Sequence, residues 1–188
     1  FREALKMVGI GSSIELTSVA DLPSNSGLGS SSSFTVALLN ALYTYKREFV
    51  TCERLAREAC QLEMERLAEP VGKQDQYIAA FGNVTALSIA RDGAVSVEPV
   101  PVRGEVLDEL QSSLLVMYSG VERPAKLVLA EQGQRVQDAD PATLESMHRI
   151  KALGRDVYEL LVRGDVEQYG ELLHEHWQHK RRLASRMT

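Results

Sequence analysis

Residues Leu22–Phe34 read LPSNSGLGSSSSF: a proline, two glycines and four consecutive serines set between two apolar segments. Upstream, SIELTSVADL (Ser13–Leu22) alternates Ile14, Leu16 and Val19 with polar neighbours, the period of a strand. Downstream, Phe34, Ala37, Leu38, Ala41 and Leu42 recur at helical spacing, which predicts a helix from about Ser30 to Lys46. A solvated linker needs neither neighbour. Gly27 and Gly29 permit positive φ and close backbone approach, and a helix starting near Ser30 offers unpaired N–H groups. The positive end of its dipole favours an anion, and serine hydroxyls can donate to phosphate oxygens or ligate a phosphate-borne Mg²⁺. On these residues alone, a phosphate loop and a tight turn with its N-cap both stay open. A P-loop is excluded, because no Gly-Lys-Ser/Thr closes the stretch; the dinucleotide fingerprint fails too, with no glycine between Gly29 and Gly72.

The whole chain has 188 residues, 44% hydrophobic and 25% charged, enough for one large or two small domains with a real core. Lys plus Arg is 21 against 26 for Asp plus Glu, a formal charge of −5, which argues against non-specific nucleic-acid binding. No apolar run approaches the roughly 18 residues of a membrane helix, and no signal peptide is visible. Cys52 and Cys60 fall in one helical pattern, about 12 Å apart at ~1.5 Å per residue, too far for a disulfide. They read as packing residues, which fits a reducing cytoplasm.

Thr51 is a good N-cap for a second helix carrying Glu53 in its first turn and Leu55, Ala59 and Leu62 on one face. Pro70 and Gly72 break it, and KQDQYIAAF restarts a helix. NVTALSIA and AVSVEPV, joined by Arg91-Asp92-Gly93, predict a β-hairpin, and SSLLVMYSG (Ser112–Gly120) a buried strand. After Arg123 the pattern is helical: Met147, Ile150, Leu153, Val157 and Leu160 form one stripe, and Asp165 caps a helix carrying Tyr169, Leu172, Leu173, His176 and Leu183. The order is α+β without regular βαβ alternation, with a boundary expected between Pro99 and Leu107.

PSNSGLGSSSSF resembles the ATP-phosphate loop of the GHMP kinases, of form P-x-x-x-G-L-G-S-S; Pro23, Gly27, Leu28, Gly29, Ser30 and Ser31 match it. The resemblance implies a two-domain α+β fold. Residues 1–104 would be part of an N-terminal ATP-binding domain like domain 2 of ribosomal protein S5, and 105–188 part of an α/β C-terminal domain. Members of the family carry a substrate loop ahead of the matching segment and a glycine-rich motif after it, so the chain reads as incomplete at both ends. The implied cofactors are ATP and Mg²⁺, with Pro23, Ser24, Asn25, Ser26, Gly27, Leu28, Gly29, Ser30, Ser31 and Ser32 around the phosphates.

LEMERLAEPVGKQDQYIAAFG (Leu62–Gly82) carries Glu63 and Asp75 on either side of the helix break. Phosphoryl transfer needs charge neutralisation and an acceptor near the attacking hydroxyl, and two carboxylates would supply both. By pattern alone Glu63, Glu65 and Glu69 also suit a solvated helix face. Asp75 resembles the catalytic aspartate of the family's G-x-x-D motif; Glu63 with Ser31 would then hold Mg²⁺, with Glu65 the rival ligand. Lys73 would stabilise charge near the phosphoryl group or act on Asp75, unless it is an exposed loop lysine.

EPVGKQDQYIAAFG, SGVERPAKLVLAEQ and HWQHKR resemble the D-glycero-D-manno-heptose 7-phosphate kinase branch, which phosphorylates the anomeric oxygen of a sugar phosphate. Gln76, Arg123, Lys126 and Lys180 are the corresponding substrate candidates. His179, Lys180 and Arg181 equally suit a helix end complementing its dipole, His176 a packed imidazole, and Trp177 a core or interface anchor. The expected partner is a small sugar or sugar-phosphate acceptor, with no nucleic acid or membrane; a homodimer is admitted. Two alternatives stay open: another GHMP kinase, galactokinase- or mevalonate kinase-like, or a non-catalytic nucleotide-binding module.

Overall fold

In the computed structural model, residues 1–11, 13–21, 28–117 and 125–184 are described. Two compact units divide the chain: residues 1–83 with 120–126, and residues 84–119 with 127–188. The architecture mixes helix and strand and is mostly helical.

In the first unit, α1 (Arg2–Val8), α2 (Ser30–Tyr45), α3 (Cys52–Cys60), a π-helical turn (Gln61–Arg66) and α4 (Gln74–Phe81) follow in order. Ala4, Val8, Leu38, Leu39, Leu42, Tyr43, Leu55, Ala59 and Leu62 form its core. Thr51 caps α3 as expected, its side chain accepting the Arg54 N–H at 3.2 Å. The break at Pro70–Gly72 and the restart at Gln74 are also observed. Tyr43 and Arg54 both donate to Glu58, and the Arg54 guanidinium lies over the Tyr43 ring, which ties α2 to α3.

The buried face of α2 is rotated one residue from the expected stripe. Phe34 and Ala37 face solvent, whereas Thr35, Val36, Leu38, Leu39, Leu42 and Tyr43 are buried. On the α3 side, Ala56, Ala59, Cys60 and Glu63 recur at three- and four-residue steps on the buried face. The π turn, closed by Leu67 N–H to Leu62 O at 3.0 Å, continues that face where an α-helix was expected.

In the second unit, β1 (Thr85–Ile89) and β2 (Val95–Pro99) pair antiparallel with Leu87 opposite Val97, the predicted hairpin. Asp92 accepts the Ala94 N–H and shapes the turn. Among the described residues four helices follow along the chain: α5 (Gly104–Ser113), α6 (Ala125–Gln137), whose first two residues fall in the first unit, α7 (Pro141–Arg163) and α8 (Glu167–Lys180). Leu153, Leu160, Leu161, Val166 and Leu183 are buried with Val106. Asp140 caps α7 through the Thr143 N–H, and α7 ends on Gly164 at φ 84, where a Cβ would stand 2.9 Å from the Val106 Cγ2.

Two expected strands are corrected. Residues 13–21 take no strand conformation; Ile14 and Leu16 pack on the first core, as their alternation suggested, but Val19 is 90% exposed. Ser112 and Ser113 close α5 rather than opening a strand, and Leu115, Val116 and Met117 are 82%, 79% and 79% exposed. A strand exists only through a ladder partner, and among the described residues only β1 and β2 pair. α1 and α5 carry no strong start signal and were not expected. No helix among the described residues is long and apolar enough to cross a membrane.

Candidate active site

The site grows from the first turn of α2. Gly29 is the N-cap residue at φ 68, ψ 23, a left-handed conformation that costs an L-residue about 1–2 kcal/mol. Its carbonyl accepts the Ser33 N–H at 3.0 Å. A Cβ on Gly29 would lie 3.3 Å from both Cγ and Oδ2 of Asp75. The Asp75 carboxyl therefore rests against the α-carbon of the loop glycine. Two sequence motifs 46 residues apart meet there.

Gly29→Ala is accordingly expected to lower stability by about 1–2 kcal/mol, from the left-handed φ and from displacing Asp75. Gly72→Ala is the control: nothing lies within 4 Å of its Cβ position, and a change within about 0.5 kcal/mol is expected. Urea unfolding of both variants tests the contrast; equal losses would remove the special status of Gly29.

Beside that contact lies Glu63, 2% exposed. Its Oε1 accepts from Ser31 Oγ at 3.0 Å and Thr35 Oγ1 at 2.9 Å. Its Oε2 accepts from Ser32 Oγ at 2.8 Å and from Gln76 Nε2. Four donors on one buried carboxylate satisfy its acceptor capacity, which is what a buried charge requires. Three come from the first turns of α2 and the fourth from the first turn of α4, so Glu63 joins the loop to the helix that presents Asp75.

The two candidate glutamates separate cleanly. Glu63 meets Ser31; Glu65 is exposed and lines a cleft of about 440 Å³ with Arg57, Cys60, Met64, Lys73 and Tyr77. Lys73 belongs to that cleft, with its carbonyl 4.0 Å from the Cys60 Sγ. Burial raises the Cys60 thiol to about 11, so it stays protonated and unreactive at neutral pH. Gln76, expected at the substrate, is fully buried and turned to Glu63. Thr35 was not anticipated: the apolar stripe drawn through Phe34 left it on the wrong face. Its signal was a hydroxyl four residues after Ser31, one helical turn along the same side.

Pro23, Ser24, Asn25, Ser26, Gly27 and Arg123 lie outside the described residues, as does the Lys126 side chain. Leu28, Gly29, Ser30, Ser31 and Ser32 are described, with Ser30 opening α2. In the second unit, Lys180 is the exposed last residue of α8. Burial, with Lys180 and His179 nearby, holds the His176 imidazole below its usual range, the behaviour of a packed histidine. Trp177 is 39% exposed.

Residues 1–83 match the family described as the GHMP kinases N terminal domain, a span equal to the first segment of the first unit. The D-glycero-alpha-D-manno-heptose 7-phosphate kinase of Campylobacter jejuni is 29% identical over 172 residues, covering 92% of this chain and 50% of that protein. The L-fucokinase/L-fucose-1-P guanylyltransferase of Bacteroides fragilis is 31% identical over 188 residues, covering 97% of this chain and 19% of that one. Among solved structures, a D-glycero-D-manno-heptose 1-phosphate kinase from Bacteroides thetaiotaomicron superposes with TM-score 0.69 at 29% identity, over 86% of this chain and 46% of that one. The chain thus spans half or less of the length of these relatives.

Proposed function

We propose that this chain is part of an ATP-dependent sugar kinase that transfers the γ-phosphoryl group to a sugar hydroxyl, a reading supported by the match of residues 1–83 to the GHMP kinases N terminal domain. The acceptor we assign is the anomeric hydroxyl of a heptose 7-phosphate, the substrate for which the Campylobacter relative is named. The observation that carries the reading is the Asp75 carboxyl resting on Gly29 at the start of α2. A group that accepts a proton from the attacking hydroxyl must lie beside the phosphate it attacks, and the N-terminus of α2 is where phosphate is favoured.

Backbone N–H groups of the loop through Ser32 would hold the phosphates at close range, and Asp75 would orient the acceptor hydroxyl and take its proton. Ser31 and Glu63 fit a nucleotide-borne Mg²⁺. Ser31 Oγ and Glu63 Oε1 lie 3.0 Å apart, close enough to serve one ion together. Both are hard oxygen donors, and one carboxylate with phosphate oxygens and water is the usual Mg²⁺ arrangement. Such an ion, when bound, neutralises charge on the phosphate oxygens. A reducing cytoplasm suits the two unpaired thiols, Cys52 and Cys60.

The test is Mg²⁺-dependent ATP consumption by the chain, screened over heptose 7-phosphate, galactose and mevalonate. Turnover on heptose 7-phosphate alone is expected. Turnover on another acceptor would move the protein to another branch, and nucleotide binding without turnover on any of them would make this a binding module.

A further inference from the structure

The four donors on Glu63 are unequal. Ser32, Thr35 and Gln76 are 4%, 6% and 0% exposed, whereas Ser31 faces solvent. Ser31 also makes the longest of the three hydroxyl contacts, 3.0 Å against 2.8 Å for Ser32 and 2.9 Å for Thr35. The Thr35 hydroxyl has one proton and two acceptors in reach, the Ser31 carbonyl at 3.1 Å and Glu63 at 2.9 Å. An ionised carboxylate is the stronger acceptor, so the proton goes to Glu63.

We propose that Ser32, Thr35 and Gln76 are positioning residues that clamp Glu63 permanently, and that Ser31 is the one exchangeable donor. This deepens the kinase reading and rests on it. Ser31 is the donor that could turn its proton away and offer a lone pair to a nucleotide-borne divalent cation, at a cost to Glu63 of one hydrogen bond of four. Oε1 would still be fixed through Thr35, and Oε2 would keep both of its donors. No side chain has to leave its place. Gln76 has a second consequence: its bond to Glu63 fixes the start of α4 and hence the neighbouring Asp75 against Gly29.

A clamp of this kind predicts that losing a buried donor weakens metal-dependent binding without touching the nucleotide's own contacts. Partners behind a metal ligand typically contribute about 10–100-fold in metal affinity. ADP affinity should be measured by calorimetry with Mg²⁺ and with EDTA, on the unaltered chain, Thr35→Val, Thr35→Ser and Gln76→Leu. The expected result is a ratio of the two affinities reduced about tenfold or more in Thr35→Val and Gln76→Leu. Affinity in EDTA should be unchanged, and Thr35→Ser should keep the original ratio. Should Gln76→Leu not fold, Gln76→Asn, whose amide falls one methylene short of Glu63, gives the same readout. An unaltered ratio in both Thr35→Val and the Gln76 variant would overturn the clamp while leaving the kinase reading standing. Absence of Mg²⁺-dependent ADP binding in the unaltered chain would overturn both, and is a separate observation.

Discussion

Asp75→Asn is expected to lower phosphoryl transfer by about 10²–10⁴-fold, the usual contribution of a positioned base. The substitution is close to isosteric, so the side chain still rests on Gly29 and the first turn of α2 keeps its shape. What is lost is the negative charge and the ability to take the hydroxyl proton. Binding of nucleotide is expected to stay within about threefold, with any change toward tighter binding, because a carboxylate beside phosphate repels it. Two opposing considerations bear on the size. The transition state of phosphoryl transfer is loose, with little bonding to the nucleophile, which limits what a base can add. Orientation of the attacking oxygen is lost as well, and that pushes the other way. Initial rates at saturating ATP, with ADP affinity measured in parallel, check the prediction. Retention of more than about a tenth of the rate would remove Asp75 from the base role. A matching loss of nucleotide affinity would show instead that the substitution had disturbed the loop.

What could be read from the sequence was whatever depends on neighbours within one turn of chain. Thr51 before an amphipathic run, Asp-Gly between two alternating stretches and Pro70 with Gly72 inside a helical pattern are local signals, and each has its expected consequence. The glycine-serine motif belongs with them, since Gly29 at a helix start implies a left-handed residue before unpaired N–H groups. What failed depended on partners elsewhere. Leu114–Met117 is apolar enough for a strand, but nothing local says whether a ladder will form beside it. Thr35 was missed because the stripe through Phe34 and the true buried face differ by one residue, about 100° around the helix. Glu63 lay between these cases. By pattern it suited a solvated helix face as well as a site, and its burial is explained only by the three hydroxyls that reach it from α2.

Those hydroxyls decide the last expectation, that Glu63→Leu lowers stability by about 3–5 kcal/mol and Glu63→Gln by about 1–2. In Glu63→Leu all four donors lose their acceptor. Ser31 turns to water and Thr35 to the Ser31 carbonyl at 3.1 Å, so neither contributes much to the loss. Ser32 and Gln76 have no such escape, being 4% and 0% exposed, and two buried unpaired groups cost about 1–3 kcal/mol each. In Glu63→Gln one oxygen remains and an NH₂ replaces the other. A hydroxyl can accept as well as donate, so Ser32 adapts by rotation. Gln76 adapts by turning its amide over, which presents Oε1, unpartnered in the native arrangement, to the new N–H group. The difference between the two variants is therefore a count of acceptors rather than of charge. Urea unfolding should be followed by far-UV circular dichroism, because the site is built on helices and the single tryptophan, Trp177, belongs to the other unit. A Glu63→Gln variant as damaged as Glu63→Leu would mean that the negative charge itself holds the first turn of α2, and that hydrogen-bond count is secondary.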